Sequence, residues 1–173
     1  NYVENVWYFG NLSRSAWLDS DLRDFPIAAT SNNRLVNHET GVDDKETGVA
    51  TAFTASITST QFDLDDGDRF MLVNKMLPDV TFEGSTAASP AAVLTLNPLE
   101  NSGSGRYDPA SVGGNSNATV TRTATAPIEQ FTGQVFTRLR GRQMSFKVES
   151  TAAGVTWKLG ATRVDMRPDG RRG

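Results

Sequence analysis

Residues 143–159 read QMSFKVESTAAGVTWKL, and their alternation sets the fold class. Met144, Phe146 and Val148 alternate with Ser145, Lys147 and Glu149, while Val155, Trp157 and Leu159 alternate with Thr156 and Lys158. Side chains two apart along an extended chain share a face, so each run presents its apolar groups on one side. The spacing predicts two strands, paired as a hairpin around Ala152-Ala153-Gly154. Burying their apolar side chains contributes on the order of 10 kcal/mol before chain entropy, at roughly 1.5 to 3 kcal/mol each.

Outward from this stretch the same period recurs. No segment of a dozen residues repeats apolar positions at three and four with helix caps, so an all-β fold is expected. Pro26 to Thr30 and Leu35 to His38 flank the polar turn Ser31-Asn32-Asn33-Arg34 and read as a hairpin. Residues 49–62 and 69–82 read as strands joined in a second hairpin by Asp65-Asp66-Gly67-Asp68, with Pro78 forcing an edge or a break. Ala91 to Leu96 and Ala118 to Ala126 read as strands, separated by a stretch rich in Gly, Ser, Asn and Pro. Asn5 to Ser20 holds two aromatic-rich halves broken near Gly10. The polar run Gly41 to Gly48 (GVDDKETG) marks a boundary between a small first unit, 1–47, and a larger second one, 48–173.

Composition narrows the function classes. With 173 residues, 38% hydrophobic and 21% charged, the chain has one sizeable core to build, and wholesale disorder is not expected. It has no cysteine, which removes disulfides, thiolate nucleophiles and cysteine metal sites. No apolar run approaches the roughly 20 residues of a helical membrane span, so no membrane insertion is expected. The chain opens at Asn1 with neither methionine nor a basic, apolar leader, and we expect a piece of a longer polypeptide. Charge is strongly sorted: residues 131–173 hold nine Lys and Arg against three Asp and Glu, a balance of +6. Residues 1–130 hold eight against seventeen, a balance of −9. One surface is therefore expected to suit an acidic neighbour, nucleic acid or another copy.

Tests for chemistry find no catalytic constellation. His38 is the sole histidine, at the end of an expected strand, and no Gly-x-Ser-x-Gly elbow accompanies it. Asp63, Asp65, Asp66 and Asp68 cluster around Gly67, but a calcium loop starting at Asp63 would need glycine at its sixth position and an acid at its twelfth. Those positions hold Asp68 and Asn74, so a solvated turn is expected. Gly103-Ser104-Gly105 and Gly113-Gly114 lack the strand before and helix after that a phosphate cradle requires. We therefore expect no catalytic residues, no metal and no cofactor. Arg138, Arg140 and Arg142 alternate with Leu139 and Gly141, which would project three guanidinium groups from one strand face. Such planar forks pair with phosphate or carboxylate.

With these residues in view, RGRQMSFKVES followed by GVTWKLGATRVDMRPDGRR resembles the closing segment of the tail nozzle, or packaged-DNA stabilisation, proteins of short-tailed bacteriophages. VWYFGNLSRSAWLDSDLRDFPIAAT, then RLVNHETG, resembles the blade that precedes this segment, and FDLDDGDRFMLVNKMLPD is similar in pattern to the region between. Family members are longer and carry a β-propeller body, so the resemblance implies a C-terminal portion: a propeller-like blade at 1–47, then a β-sandwich-like region at 48–173. It also implies a structural virion protein without enzymatic activity. Its copies would form a ring, a hexamer in the family, that meets portal or adaptor proteins and encloses the exit for packaged DNA. Arg138, Arg140, Arg142, Arg163 and Arg167 then become candidate subunit or DNA contacts. Trp7, Trp17, Phe146 and Trp157 are candidate core anchors, since large aromatics bury much area. A carbohydrate-binding or carbohydrate-cleaving β-domain of a phage tail is the alternative, with Tyr2, Tyr8 and Tyr107 as its platform.

Overall fold

A computed structural model describes residues 3, 5, 10, 12–20, 23–99 and 123–170. These residues are all-β, in antiparallel sheets, with one short 3-10 turn at Asp65–Gly67. Strands β1 (Arg14–Leu18), β2 (Ile27–Thr30) and β3 (Leu35–Asn37) form a first sheet in that order. The expected hairpin between β2 and β3 is present: Ile27 opposes Asn37, and the Thr30 N–H donates to the Arg34 carbonyl at 2.9 Å. Asn33 takes the left-handed conformation that closes the turn, at φ 58°, which asparagine tolerates better than most residues.

The other described residues build two sheets of longer strands and one small pair. Strands β4 (Ala55–Thr58), β5 (Phe62–Asp63), β8 (Ala91–Leu99), β9 (Ala124–Glu129) and β11 (Gln143–Ser150) make a five-stranded sheet ordered β4-β11-β8-β9, with β5 also on β11. Strands β6 (Met71–Leu77), β10 (Val135–Gly141) and β13 (Arg163–Pro168) make a three-stranded sheet with β6 in the middle. A short β7 (Val80–Thr81) pairs with β12 (Lys158–Leu159). Pro127 and Pro168 lie on edge strands, and Pro78 follows the last residue of β6, where a missing N–H is tolerated.

Both larger sheets contribute to one apolar cluster. Met71, Val73 and Met76 of β6 and Leu139 of β10 meet Leu94 and Leu96 of β8, Ile128 of β9, and Met144 and Val148 of β11. Strand alternation explains the sorting: along β11 the apolar residues Met144 and Val148 are fully buried while Lys147 between them stays accessible.

Two expected hairpins are replaced by other pairings. Residues 143–150 pair with β4, β5 and β8, not with the run 155–159. After β11 the chain turns away, and the Gly154 carbonyl accepts from the Thr86 and Ala87 N–H groups at 2.8 and 3.0 Å before β12 joins β7. The apolar groups Val155, Trp157 and Leu159 still reach the same core. Likewise, residues 49–62 do not pair with 69–82: β4 and β5 add to β11, whereas β6 is flanked by β10 and β13. The sequence 118–126 yields a strand from Ala124 onward, with 118–122 outside the described residues.

Candidate docking interface

The three-stranded sheet turns one face to the core and the other outward. Directly opposed residues in antiparallel strands share a face. Val135, Met76 and Val164 are thus aligned on the inner side, as are Leu139, Val73 and Met166. On the outer side Phe136, Lys75 and Asp165 form one row, Arg140, Leu72 and Arg167 another, and Arg163 stands opposite Leu77. Arg138 joins them, because exposure along β10 alternates through Phe136, Arg138 and Arg140 even across the bulge between Phe136 and Leu139. Lys75, Arg138, Arg140, Arg163 and Arg167 therefore share a surface with one strand carboxylate, Asp165.

Local contacts fix part of this array. Arg140 Nε donates to Asp169 Oδ2 at 2.6 Å and its Nη2 to the Asp169 carbonyl at 3.1 Å. The same guanidinium lies 3.9 Å from the centre of the Phe70 ring, and that of Arg142 lies 4.8 Å away. Such stacking favours a planar cation over a ring face and holds the two arginines at the sheet end. Asp169 is itself positioned by the ladder between its N–H and the Phe70 carbonyl at 2.7 Å. Arg138, Arg163 and Arg167 are exposed, and their side chains make no hydrogen bond or ion pair among the described residues. Phe136 is 73% exposed beside them. The face is thus cationic, with an exposed phenylalanine on its edge strand β10.

Of the five arginines singled out in the sequence, four lie on this outer face. Arg142 departs from the expected row: it follows the end of β10, and its Nη1 donates to the Gly67 and Asp68 carbonyls at 3.2 and 3.4 Å. Sequence reasoning missed Lys75, Phe136 and Phe70. The alternation Arg163-Val164-Asp165-Met166-Arg167 was a readable signal for its own strand, but no local pattern announces that β6 lies between β10 and β13.

Among the core-anchor candidates, Phe146 and Trp157 pack against the central cluster, and Trp157 Nε1 donates to the buried Ser150 hydroxyl at 2.9 Å. Trp17 is corrected: it is 60% exposed on β1, with its ring 4.3 Å from that of His38. Every residue of β1 after Arg14 is exposed, so the indole lies on an open strand. Trp7, Tyr2, Tyr8 and Tyr107 lie outside the described residues.

The sole histidine belongs to a polar cluster on the first sheet. Arg14 Nε donates to His38 Nε2 at 3.0 Å, Arg14 Nη1 meets Glu46 Oε2 at 3.4 Å, and Asn32 Nδ2 donates to Glu46 Oε1 at 2.9 Å. Burial, then the Arg14 guanidinium, holds the His38 imidazole below its ordinary value. Hydrogen bonds from Asn32 and Thr30, reinforced by Arg14 and Arg34, hold Glu46 below the usual carboxylate range. In the acidic turn, Asp65 pairs with Arg69 at 3.2 Å and Asp63 accepts from Gln143 Nε2 at 3.1 Å. Among the described residues no group of three or more His, Asp or Glu side chains is placed to hold a metal.

Comparison with protein-family models gives no match for this chain, and comparison with curated proteins gives none either.

Proposed function

We propose that this chain is a structural subunit of a ring-shaped tail nozzle of a short-tailed phage, working by geometry and not by chemistry. Copies around an axis would enclose the channel through which DNA leaves the head, with portal or adaptor proteins as neighbours. The observation that carries the reading is the cationic outer face of β10-β6-β13 on a chain of net charge −3. Exposed guanidinium groups beside an accessible phenylalanine match the composition of protein interfaces, which are enriched in arginine and aromatic residues. The shared core of the two larger sheets supports a sandwich-like second unit, and the separate sheet β1-β2-β3 supports a blade-like first one.

Quantitative mass spectrometry of purified particles of a phage encoding this chain tests the reading. Tryptic peptides Gln143–Lys147 and Val148–Lys158 should appear at a fixed copy number per particle. Their absence from particles would sink the virion assignment and favour a tail-independent binding role.

A further inference from the structure

We infer that the outer face of β10-β6-β13 docks on a different, acidic surface of a second copy, so that copies associate head to tail. This rests on the reading of the chain as an assembling subunit and adds which surfaces meet.

Charge decides the geometry. A two-fold contact would set the face against itself and bring Arg138, Arg163 and Arg167 near their own counterparts, and like charges at close range are repulsive. The matching surface must therefore lie elsewhere on the molecule. Residues 1–130 carry the balance of −9, and their densest acidic stretch is the turn after β5, where Asp63, Asp65, Asp66 and Asp68 fall within six residues. This turn is firmly presented. The Asp68 N–H donates to the Asp65 carbonyl at 3.0 Å, Arg142 holds the Gly67 and Asp68 carbonyls, and Asp66 occupies the left-handed conformation at φ 54°. The Asp65 side chain is 62% exposed, and its ion pair with Arg69 is open to solvent.

The turn leads into Met71, the first residue of β6, so it stands at one end of the sheet whose outer face carries the cations. An acidic end and a basic face on one body make a heterologous contact, which generates a ring where the rotation closes and a filament where it does not. Three strands about 4.8 Å apart and some seven residues long span roughly 14 by 20 Å. That is smaller than a standard interface of about 800 Å² per partner, so a single contact is weak and closure supplies the rest.

Two blocked variants test this by sedimentation velocity in low salt. One reverses the face (Arg138→Glu, Arg163→Glu, Arg167→Glu) and the other the turn (Asp65→Lys, Asp66→Lys). Wild type should associate, and raising salt from about 0.05 to about 0.5 M should weaken association more than about tenfold. Each variant alone should stay monomeric, while an equimolar mixture should associate again, because the basic face of one meets the acidic turn of the other and the reversed face meets the reversed turn. Thermal melts establish that the variants fold, and glutamine or asparagine replacements at the same positions carry the test if a reversal does not. A wild type monomeric up to its solubility limit, variants that associate like wild type, or a mixture that stays monomeric would each overturn the contact. Presence in particles together with such a result would leave the virion reading standing, and absence from particles with intact self-association would do the reverse.

Discussion

The indole of Trp157 ties the segment after β11 to the core through packing and one hydrogen bond to the buried Ser150 hydroxyl. Trp157→Ala should cost about 2 to 4 kcal/mol in chemical denaturation, and Trp157→Phe about 1 kcal/mol, because the second change mainly orphans that hydroxyl. Equal costs for the two would contradict this division. Thr137, in the β10 bulge, has a buried hydroxyl with no partner among the described residues. Thr137→Val should therefore be neutral or stabilise by about 1 kcal/mol, and a clear loss would mean that the hydroxyl is satisfied. His38 titrates below its ordinary value of 6.5, since burial disfavours the charged imidazole and protonation would also remove the acceptor of Arg14 and set two cations together. The unfolded chain thus takes up this proton first as pH falls. The contribution of neutral His38 is complete above about 6.5 and is lost as pH drops through the folded value. The imidazole NMR titration should have its midpoint below 6.5, and Arg14→Gln should raise it. A midpoint at or above 6.5 in the unaltered protein would contradict the cluster.

Among the elements, the segment between β11 and β12 shows what alternation can and cannot reveal. Every apolar residue of 143–159 identified by its period of two reaches the core or its edge, so face and class were legible. The partners were not. Period two specifies which side of a strand is buried but carries no information on which strand lies beside it, and β11 recruits neighbours from 55–63 and 91–99. Gly154 marks the place where the hairpin fails. It sits at φ 74°, and a Cβ there would lie 2.8 Å from Thr86 Oγ1 and 2.9 Å from the Ala87 nitrogen. Gly154→Ala should cost about 2 kcal/mol, lowering the melting temperature by roughly 4 to 8 °C. An unchanged melt would mean that the turn docks differently. The turn between β2 and β3 was legible because its signal is local: Asn32-Asn33 supplies a residue that accepts positive φ between two short strands.

For the whole molecule, the sequence disclosed that charge is sorted along the chain, and the fold converts part of that sorting into a surface. Arg138 and Arg140 share a side because they are two apart, as do Arg163 and Arg167 at four. Bringing the two pairs together needs β6 between them, a long-range pairing that no local pattern encodes. Lys75, contributed by β6, completes the row with Phe136 and Asp165 and gives the face a reactive amine. Zero-length carbodiimide coupling joins such an amine to carboxylates in salt-bridge contact. Applied to a mixture of unlabelled and nitrogen-15-labelled protein, it distinguishes contacts between copies from contacts within one. Head-to-tail docking gives mixed-isotope links from Lys75 to the carboxylates of Asp65, Asp66 or Asp68. Lys75 links confined to a single copy, chiefly to Asp165 opposite it in the sheet, would contradict docking of this face on an acidic surface of the next copy.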